Sequence, residues 1–263
     1  MEEVGEEGTG EDGGGSMSIT SVIISPCEPY SVEETFKLIN SWGAPEHIVG
    51  YPAVSGGWPT AKMQRVFMCP GIDAEVLAYI HNDVEIYEAG WRGRVEKQFE
   101  DPEVGVVGFG GATQLGVNDI YKLPYDYRQL VRINYLTNDR RHEIHGHKFT
   151  GECDVAALDG FCLIVRRKIL DRWGLGKREQ CGWPVDEIPF HNYDNALCLE
   201  ARRQGYRVRL VGVDCRHNGG RHSTTPEWQQ RCKEIWNKSD WDLLQESHKY
   251  LYEEYRDVLP III

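Results

Sequence analysis

Short β-branched apolar runs alternate along this chain with stretches whose apolar residues recur about every four positions. The run SITSVIIS, closed by Pro26, predicts a first strand. After it, SVEETFKLINSW predicts a helix: Ser31 and Glu34 form a capping box, and Val32, Phe36 and Ile39 share one face. EHIVGYP, RVFMCPG and EVLAYIH predict the next three strands. Trp91, Val95 and Phe99, spaced by four, predict a helix within 88–100, and VGVVGFGG predicts a strand behind it. Further on, GFCLIVRR leads as a strand into KILDRWG. PFHNYDNALCLEARRQG predicts a helix stopped by Gly205, YRVRLVGV a strand, and two helical stretches finish the chain. This alternation predicts an α/β fold with a mostly parallel sheet, whose ligand crevice lies outside the carboxyl ends of the strands. The segment 112–152 is polar, aromatic and without a clear period, so it reads as one long irregular connection able to serve as a lid.

Composition narrows the class. With 263 residues and 41% hydrophobic positions, the chain can bury one full core. Its first sixteen residues hold six acidic residues, six glycines and no Lys or Arg. That predicts a solvated tail over 1–17, a domain over 18–222, and a helical extension over 223–263 packed on the same domain. The tail supplies half of the net charge of −12, and the acidic excess left elsewhere argues against a duplex nucleic-acid surface. No apolar run reaches the ~18 residues of a membrane span, and no signal-peptide pattern opens the sequence. Eight cysteines stand singly, with no CxxC pair, so the expected setting is a reducing cytoplasm.

The chemistry concentrates at strand ends. In LAYIHNDVEIYEAGW a run fit for a buried strand stops at His81-Asn82-Asp83. A buried carboxylate costs several kcal/mol unless a positive or hydrogen-bonding group meets it, so Asp83 is expected at a strand end facing a cleft. His217 closes YRVRLVGVDCRH and precedes glycines that give it room; an ordinary surface histidine is the plain alternative. Asp194 falls in the first turn of its helix, as a good helix-start residue or as a base. Asp159-Gly160 joins a carboxylate to a residue that lets backbone pass closely. His142, His145 and His147 could bind a transition metal, but their irregular, polar surroundings favour a loop on the acceptor side.

In this order and framing, from SVIISP to CRHNGG, the chain resembles the GT-A glycosyltransferases, particularly the inverting family 2 type. The strongest block is VAALDGFCLIVRRKIL followed by VDEIPFHNYDNALCLEARRQGYRVRLVGVDCRHNGG. The resemblance implies the GT-A (nucleotide-diphospho-sugar transferase) fold, a Rossmann-like sheet flanked by helices. It also implies metal-dependent, inverting transfer of a hexose-type sugar from a nucleotide-diphosphate donor to an acceptor hydroxyl. The donor implied first is a UDP-sugar; the acceptor is not specified. Asp83 and His217 would hold Mn²⁺ or Mg²⁺, and Asp194 would be the general base. Asn82, Asp83, Asp159 and Gly160 would meet the donor. Pro26, Glu28 and Tyr51 would contact the nucleoside, Tyr51 standing where the family usually has an acid after the second strand. Asp186-Glu187 matches a further acidic pair. The chain departs from the pattern at His81-Asn82, where the motif is Asp-x-Asp, and at Tyr193 and Ala196, which replace acids beside Asp194. Two other classes stay open: a GT-A-like nucleotide- or glycan-binding module without turnover, and a sugar nucleotidyltransferase. The latter usually has a Gly-rich basic loop after the first strand, and SPCEPYS has neither glycine nor Lys or Arg.

Overall fold

The computed structural model describes residues 19–24, 40–42, 48–51, 74–116, 130, 132–142, 146–177, 179, 181–219 and 225–263. Its strands are β1 (Ile19–Ile24), β2 (Ile48–Tyr51), β3 (Val76–His81), β4 (Val84–Ile86), β5 (Val104–Gly108), β6 (Gly110–Leu115) and β7 (Arg132–Thr137). They continue with β8 (His147–Lys148), β9 (Glu152–Asp154), β10 (Ala157–Leu158), β11 (Cys162–Arg166), β12 (Arg207–Val211), β13 (Cys215–His217) and β14 (Ile261–Ile262). The helices are α1 (Trp91–Phe99), α2 (Arg167–Arg172), α3 (Tyr193–Arg203), α4 (Pro226–Trp236) and α5 (Asp240–Glu254).

The central sheet has the order β2-β1-β3-β11-β5-β12-β9. β2, β1, β3, β5 and β12 run one way, and β11 and β9 run against them. β3 shows why its sequence is apolar throughout rather than alternating. Leu77 and Tyr79 enter the core that also holds α3 and the end of α5, while Val76, Ala78 and Ile80 enter the core built with Trp91, Val95 and Phe99 of α1. Both faces of the sheet are covered, which is what a continuous apolar strand requires.

A second sheet, β10-β6-β7-β8 with β14 on β6, lies beside the first, and a small antiparallel pair joins β4 to β13. The run VGVVGFGG, expected as one strand, divides at Phe109 into β5 of the first sheet and β6 of the second. The expectation of one irregular connection over 112–152 is corrected here: it carries the end of β6, then β7 and β8. The reason is legible in the backbone of β7. Asn134 has φ 54 and takes no part in the β6–β7 pairing, although the register is the same on either side of it, so the strand is distorted locally at a polar residue and its period is weak in the sequence.

The expected first helix over 31–42 and the strand RVFMCPG lie almost wholly outside the described residues. Helix α3 ends as its sequence suggests, with Gly205 at φ 85 and Tyr206 N–H donating to Ala201 O. The C-terminal helices pack on the same core: Leu251 and Tyr255 are fully buried, and Tyr255 Oη donates to the buried Glu200 of α3 at 3.1 Å. None of the described helices is long and apolar enough to cross a membrane. Truncating Leu251 to Ala is expected to lower global stability by about 2–5 kcal/mol in urea denaturation. A loss confined to fraying of α5, with the main transition unmoved, would make those helices a detachable appendage.

Candidate functional site

Two strand pairings assemble the site. β3 ends at His81, and Asn82 and Asp83 turn the chain into β4. β4 pairs antiparallel with β13 so that His217 stands opposite Val84, and Asn218 N–H donates to Asp83 O at 2.9 Å. A histidine far away in sequence is thereby set beside the turn: His217 Nε2 lies 3.4 Å from Asp83 Oδ1, and His81 Nδ1 lies 3.9 Å from the same oxygen. On the other side β11 pairs with β3, and His81 N–H donates to Phe161 O at 2.9 Å, which brings Asp159-Gly160-Phe161 against the same turn. Phe161 stacks on the His217 ring with centroids 4.8 Å apart. The Asp139 carboxylate accepts from His217 N–H at 3.3 Å and from Arg141 N–H at 3.0 Å, pinning the backbone there. Gly219 keeps that histidine in place by lacking a side chain, since a Cβ would lie 2.8 Å from the His217 ring.

Helix α3 closes the site. Asp194 Oδ2 accepts from Gly160 N–H at 2.9 Å and from Arg132 Nη2 at 2.6 Å, while Oδ1 accepts from Asn195 N–H at 2.8 Å. Arg132 spans two carboxylates, with Nη1 3.5 Å from Asp159 Oδ2, and its Nε donates to Asn195 Oδ1 at 3.0 Å. Tyr135 Oη donates to Asp159 Oδ2 at 3.2 Å. Arg132 and Tyr135 are three apart on β7 and would point to opposite faces of a regular strand. The left-handed turn at Asn134 between them lets both line one cavity of about 380 Å³, together with Asp139, Asp159, Phe161 and His217. Gly160 carries no side chain because a Cβ there would overlap the Tyr193 hydroxyl, which itself is 2.8 Å from His81 Nε2.

Burial and charge divide the titratable groups. Burial drives His81 down to about 4 against the pull of Asp83, so its imidazole is neutral at physiological pH. Burial would raise Asp83, but His217 and His81 outweigh it and hold it below the usual carboxylate range; His217 is correspondingly raised against its own burial. Asp159 behaves like Asp83, its burial being outweighed by Arg132. Arg132 is pushed further up, because Asp194 and Asp159 outweigh its burial.

The residues fit a divalent cation. Asp83 Oδ1 and both polar atoms of the Asn82 amide are buried without a hydrogen-bond partner, a costly arrangement unless something else meets them. His81, Asp83 and His217 offer donor atoms all within 4.8 Å of one another, the ligand set found among the described residues. Of the three histidines at 142–147, His142 bonds the Asp139 carbonyl at 3.1 Å, His147 is exposed in β8, and His145 lies outside the described residues. Pro26 and Glu28 also lie outside them, and of Tyr51 only the backbone, closing β2, is described. Asp186 and Glu187 are exposed. The sequence did not point to Arg132 or Tyr135. His81 and Tyr193 left a signal only as residues standing in an acid's place, in the Asp-x-Asp motif and beside Asp194.

A mostly parallel sheet with acidic and imidazole groups gathered beyond its strand ends, opposite a helix-start carboxylate, is the GT-A glycosyltransferase arrangement. The chain belongs to the glycosyltransferase-like family, whose model matches residues 62–256. No curated protein matches the sequence. Among solved structures it is similar to A197 from STIV, with 13% identity and a TM-score of 0.42 over 76% of this chain and 83% of that one. It is also similar to the mannosyltransferase PcManGT from Pyrobaculum calidifontis in complex with GDP-Man and Mn2+, with 14% identity and a TM-score of 0.47 over 89% of this chain and 70% of that one. At that distance neither carries a residue or a substrate across.

Arg132→Ala would leave Asp159 and Asp194 facing each other, and a stability loss on the order of 3 kcal/mol is expected near neutral pH. In the native chain the depressed Asp159 contributes stability above its unfolded-state value, lost as pH falls through the folded one. Without Arg132 the largest influence opposing burial is lost and Asp159 moves up, so the deficit of the variant should shrink as the solution is acidified. Urea denaturation across the acid range reads this directly, and a deficit independent of pH would refute it.

Proposed function

We propose that this chain transfers a sugar, with inversion, from a nucleoside diphosphate donor to an acceptor hydroxyl. The observation that carries the reading is that the β4–β13 and β3–β11 pairings set Asp83 against His217 and bring Asp159 beside them, with Asp194 bonded to the Gly160 N–H, next to a cavity that His217 and Asp159 line. Asp83 and His217 would hold a divalent cation, Mn²⁺ or Mg²⁺, which when bound supplies positive charge to the departing diphosphate. The buried Asp83 Oδ1, which has no hydrogen-bond partner, and the convergence of Asp83 and His217 donor atoms support that role. Asn82, whose buried amide also lacks partners, is suited to meet a polar group of the donor. Asp159 borders the cavity and offers its carboxylate to sugar hydroxyls, and Gly160 remains a proposed donor contact through its backbone, the place of its missing side chain being taken by Tyr193. Pro26, Glu28 and Tyr51 remain the proposed nucleoside contacts, and a UDP-sugar the donor to try first. The described cysteines are all free thiols, in keeping with the cytoplasmic setting proposed for the chain.

Asp194 takes the proton of the attacking hydroxyl. Its two oxygens offer about four lone-pair positions, and Gly160, Asn195 and Arg132 occupy three, which leaves one for the acceptor. Arg132 fixes the carboxylate in place while it works. The same three contacts favour the second reading, a binding module without turnover, in which Asp194 serves only to lock α3 to the Asp159-Gly160 turn.

One experiment separates the two. A panel of nucleotide sugars is incubated with the full chain and Mn²⁺, and consumption of donor is followed. Asp194→Asn is expected to slow turnover about 10²–10⁴-fold while nucleotide binding persists, and Asp83→Ala to abolish the response to Mn²⁺. Donor consumption at the native rate by Asp194→Asn would remove the base assignment. Nucleotide binding without consumption of any donor would establish the module.

A further inference from the structure

The family pattern places a carboxylate where this chain has His81, and the structure gives that exchange a chemical meaning. His81 is 8% exposed, its Nε2 is 2.8 Å from Tyr193 Oη, and its Nδ1 faces Asp83 Oδ1. We propose that His81 Nδ1 is a metal ligand alongside Asp83 Oδ1 and His217 Nε2. Tyr193 is the positioning residue that makes it one, and the resulting donor set selects a first-row transition ion over Mg²⁺ or Ca²⁺. The proposal deepens the reading above and rests on it only for what the bound ion is used for.

The argument starts from the ring. An imidazole ligates through one nitrogen and carries its proton on the other, and the hydrogen bond made by the second nitrogen decides which is which. The Tyr193 hydroxyl at Nε2 accepts from Nε2–H in the tautomer that leaves the Nδ1 lone pair toward Asp83. The phenol is itself fixed: it lies over Gly160, where any Cβ would overlap it, and the Tyr193 carbonyl accepts from Trp183 Nε1 at 3.3 Å. On the opposite side, Phe161 stacks on His217 and holds that ring against the same carboxylate. Two rigid imidazoles and one buried carboxylate oxygen with no other partner therefore converge.

The donor types decide the ion. Mg²⁺ and Ca²⁺ take oxygen ligands, and a site with a single carboxylate and two nitrogens gives them little. Imidazole suits Fe, Ni, Cu and Zn, and Mn²⁺, which shares the oxygen preference of Mg²⁺, still stands at the foot of their affinity order, so Mn²⁺ and the ions to its right are retained where Mg²⁺ is not. Two carboxylates of an Asp-x-Asp turn would not make that distinction. Tyr193 also ties the ion to the base, because it is the neighbour of Asp194 on the first turn of α3.

The test uses the metal-stripped full chain and Mn²⁺ alone, with binding followed by the electron paramagnetic resonance of free Mn²⁺. The native chain is expected to bind Mn²⁺ without nucleotide and to keep it against about 100-fold Mg²⁺, and spin-echo spectra should show nitrogen coupling from both imidazoles. His81→Ala should lose one of those couplings, and Tyr193→Phe should weaken Mn²⁺ about 10–100-fold with an unchanged melting curve before metal is added. His81→Asp, which fills the place with an oxygen donor, should let Mg²⁺ compete, a result that does not depend on how the other variants fold. Displacement of Mn²⁺ by equimolar Mg²⁺ in the native chain, or unchanged couplings in His81→Ala, overturns the proposal. Mn²⁺ bound as described with no nucleotide sugar consumed upholds it and removes the glycosyl-transfer reading. Turnover supported equally by Mg²⁺ and Mn²⁺ overturns it and leaves that reading standing.

Discussion

The arrangement depends on one buried oxygen. Asp83 is 1% exposed, and its Oδ1 has no hydrogen-bond partner, only two imidazoles at 3.4 and 3.9 Å. Such a group is unfavourable in a folded protein unless a positive charge meets it, which the raised His217 supplies when protonated and a bound cation would supply in its place. The surrounding structure is built to keep it there. β3 delivers it at a strand end, the β4–β13 pair brings His217, Asn218 fixes the Asp83 carbonyl, and Asp139 holds the His217 backbone.

The second half of the site is held by a charge placed between two others. Arg132 meets Asp194 at 2.6 Å and Asp159 at 3.5 Å, and Asn195 orients its Nε. Asn195 in turn donates to Asn192 at 2.8 Å, and Asn192 donates to Ser247 of α5 at 2.8 Å. The network runs from the C-terminal helix to the cavity wall, so α5 contributes to the site's geometry without lining it. His191, paired with Asp240 at 2.8 Å, and the Phe190–Trp228 contact at 4.2 Å fasten the same loop to α4 and α5.

Much of the frame was legible in the sequence because burial on both faces writes long apolar runs. EVLAYIH, GFCLIVRR and YRVRLVGV became β3, β11 and β12, and the helix start at Asp194 lay where the period of four begins. Asp83, Asp159, Asp194 and His217 were visible as polar residues at the ends of those runs, and the structure brings them to one place. Direction was less legible: β11 runs against β3 and β5, which composition does not encode. Arg132 and Tyr135 were hidden because Asn134 distorts β7 locally at a polar residue, weakening the only signal a half-buried strand gives. His81 was visible only as the residue in the place of the motif's first acid, with no ligand role attached to it. Its role follows from contacts with Tyr193 and Asp83 that no local pattern contains.

The most direct measurement is diffraction from crystals of the full chain grown with Mn²⁺ and a nucleoside diphosphate, collected at the manganese absorption edge. The account predicts one anomalous peak within coordination distance of Asp83 Oδ1 and His217 Nε2, with the diphosphate on the side of the cavity bordered by Asp159. Manganese found elsewhere, or a nucleotide bound while that oxygen still meets nothing, would contradict it.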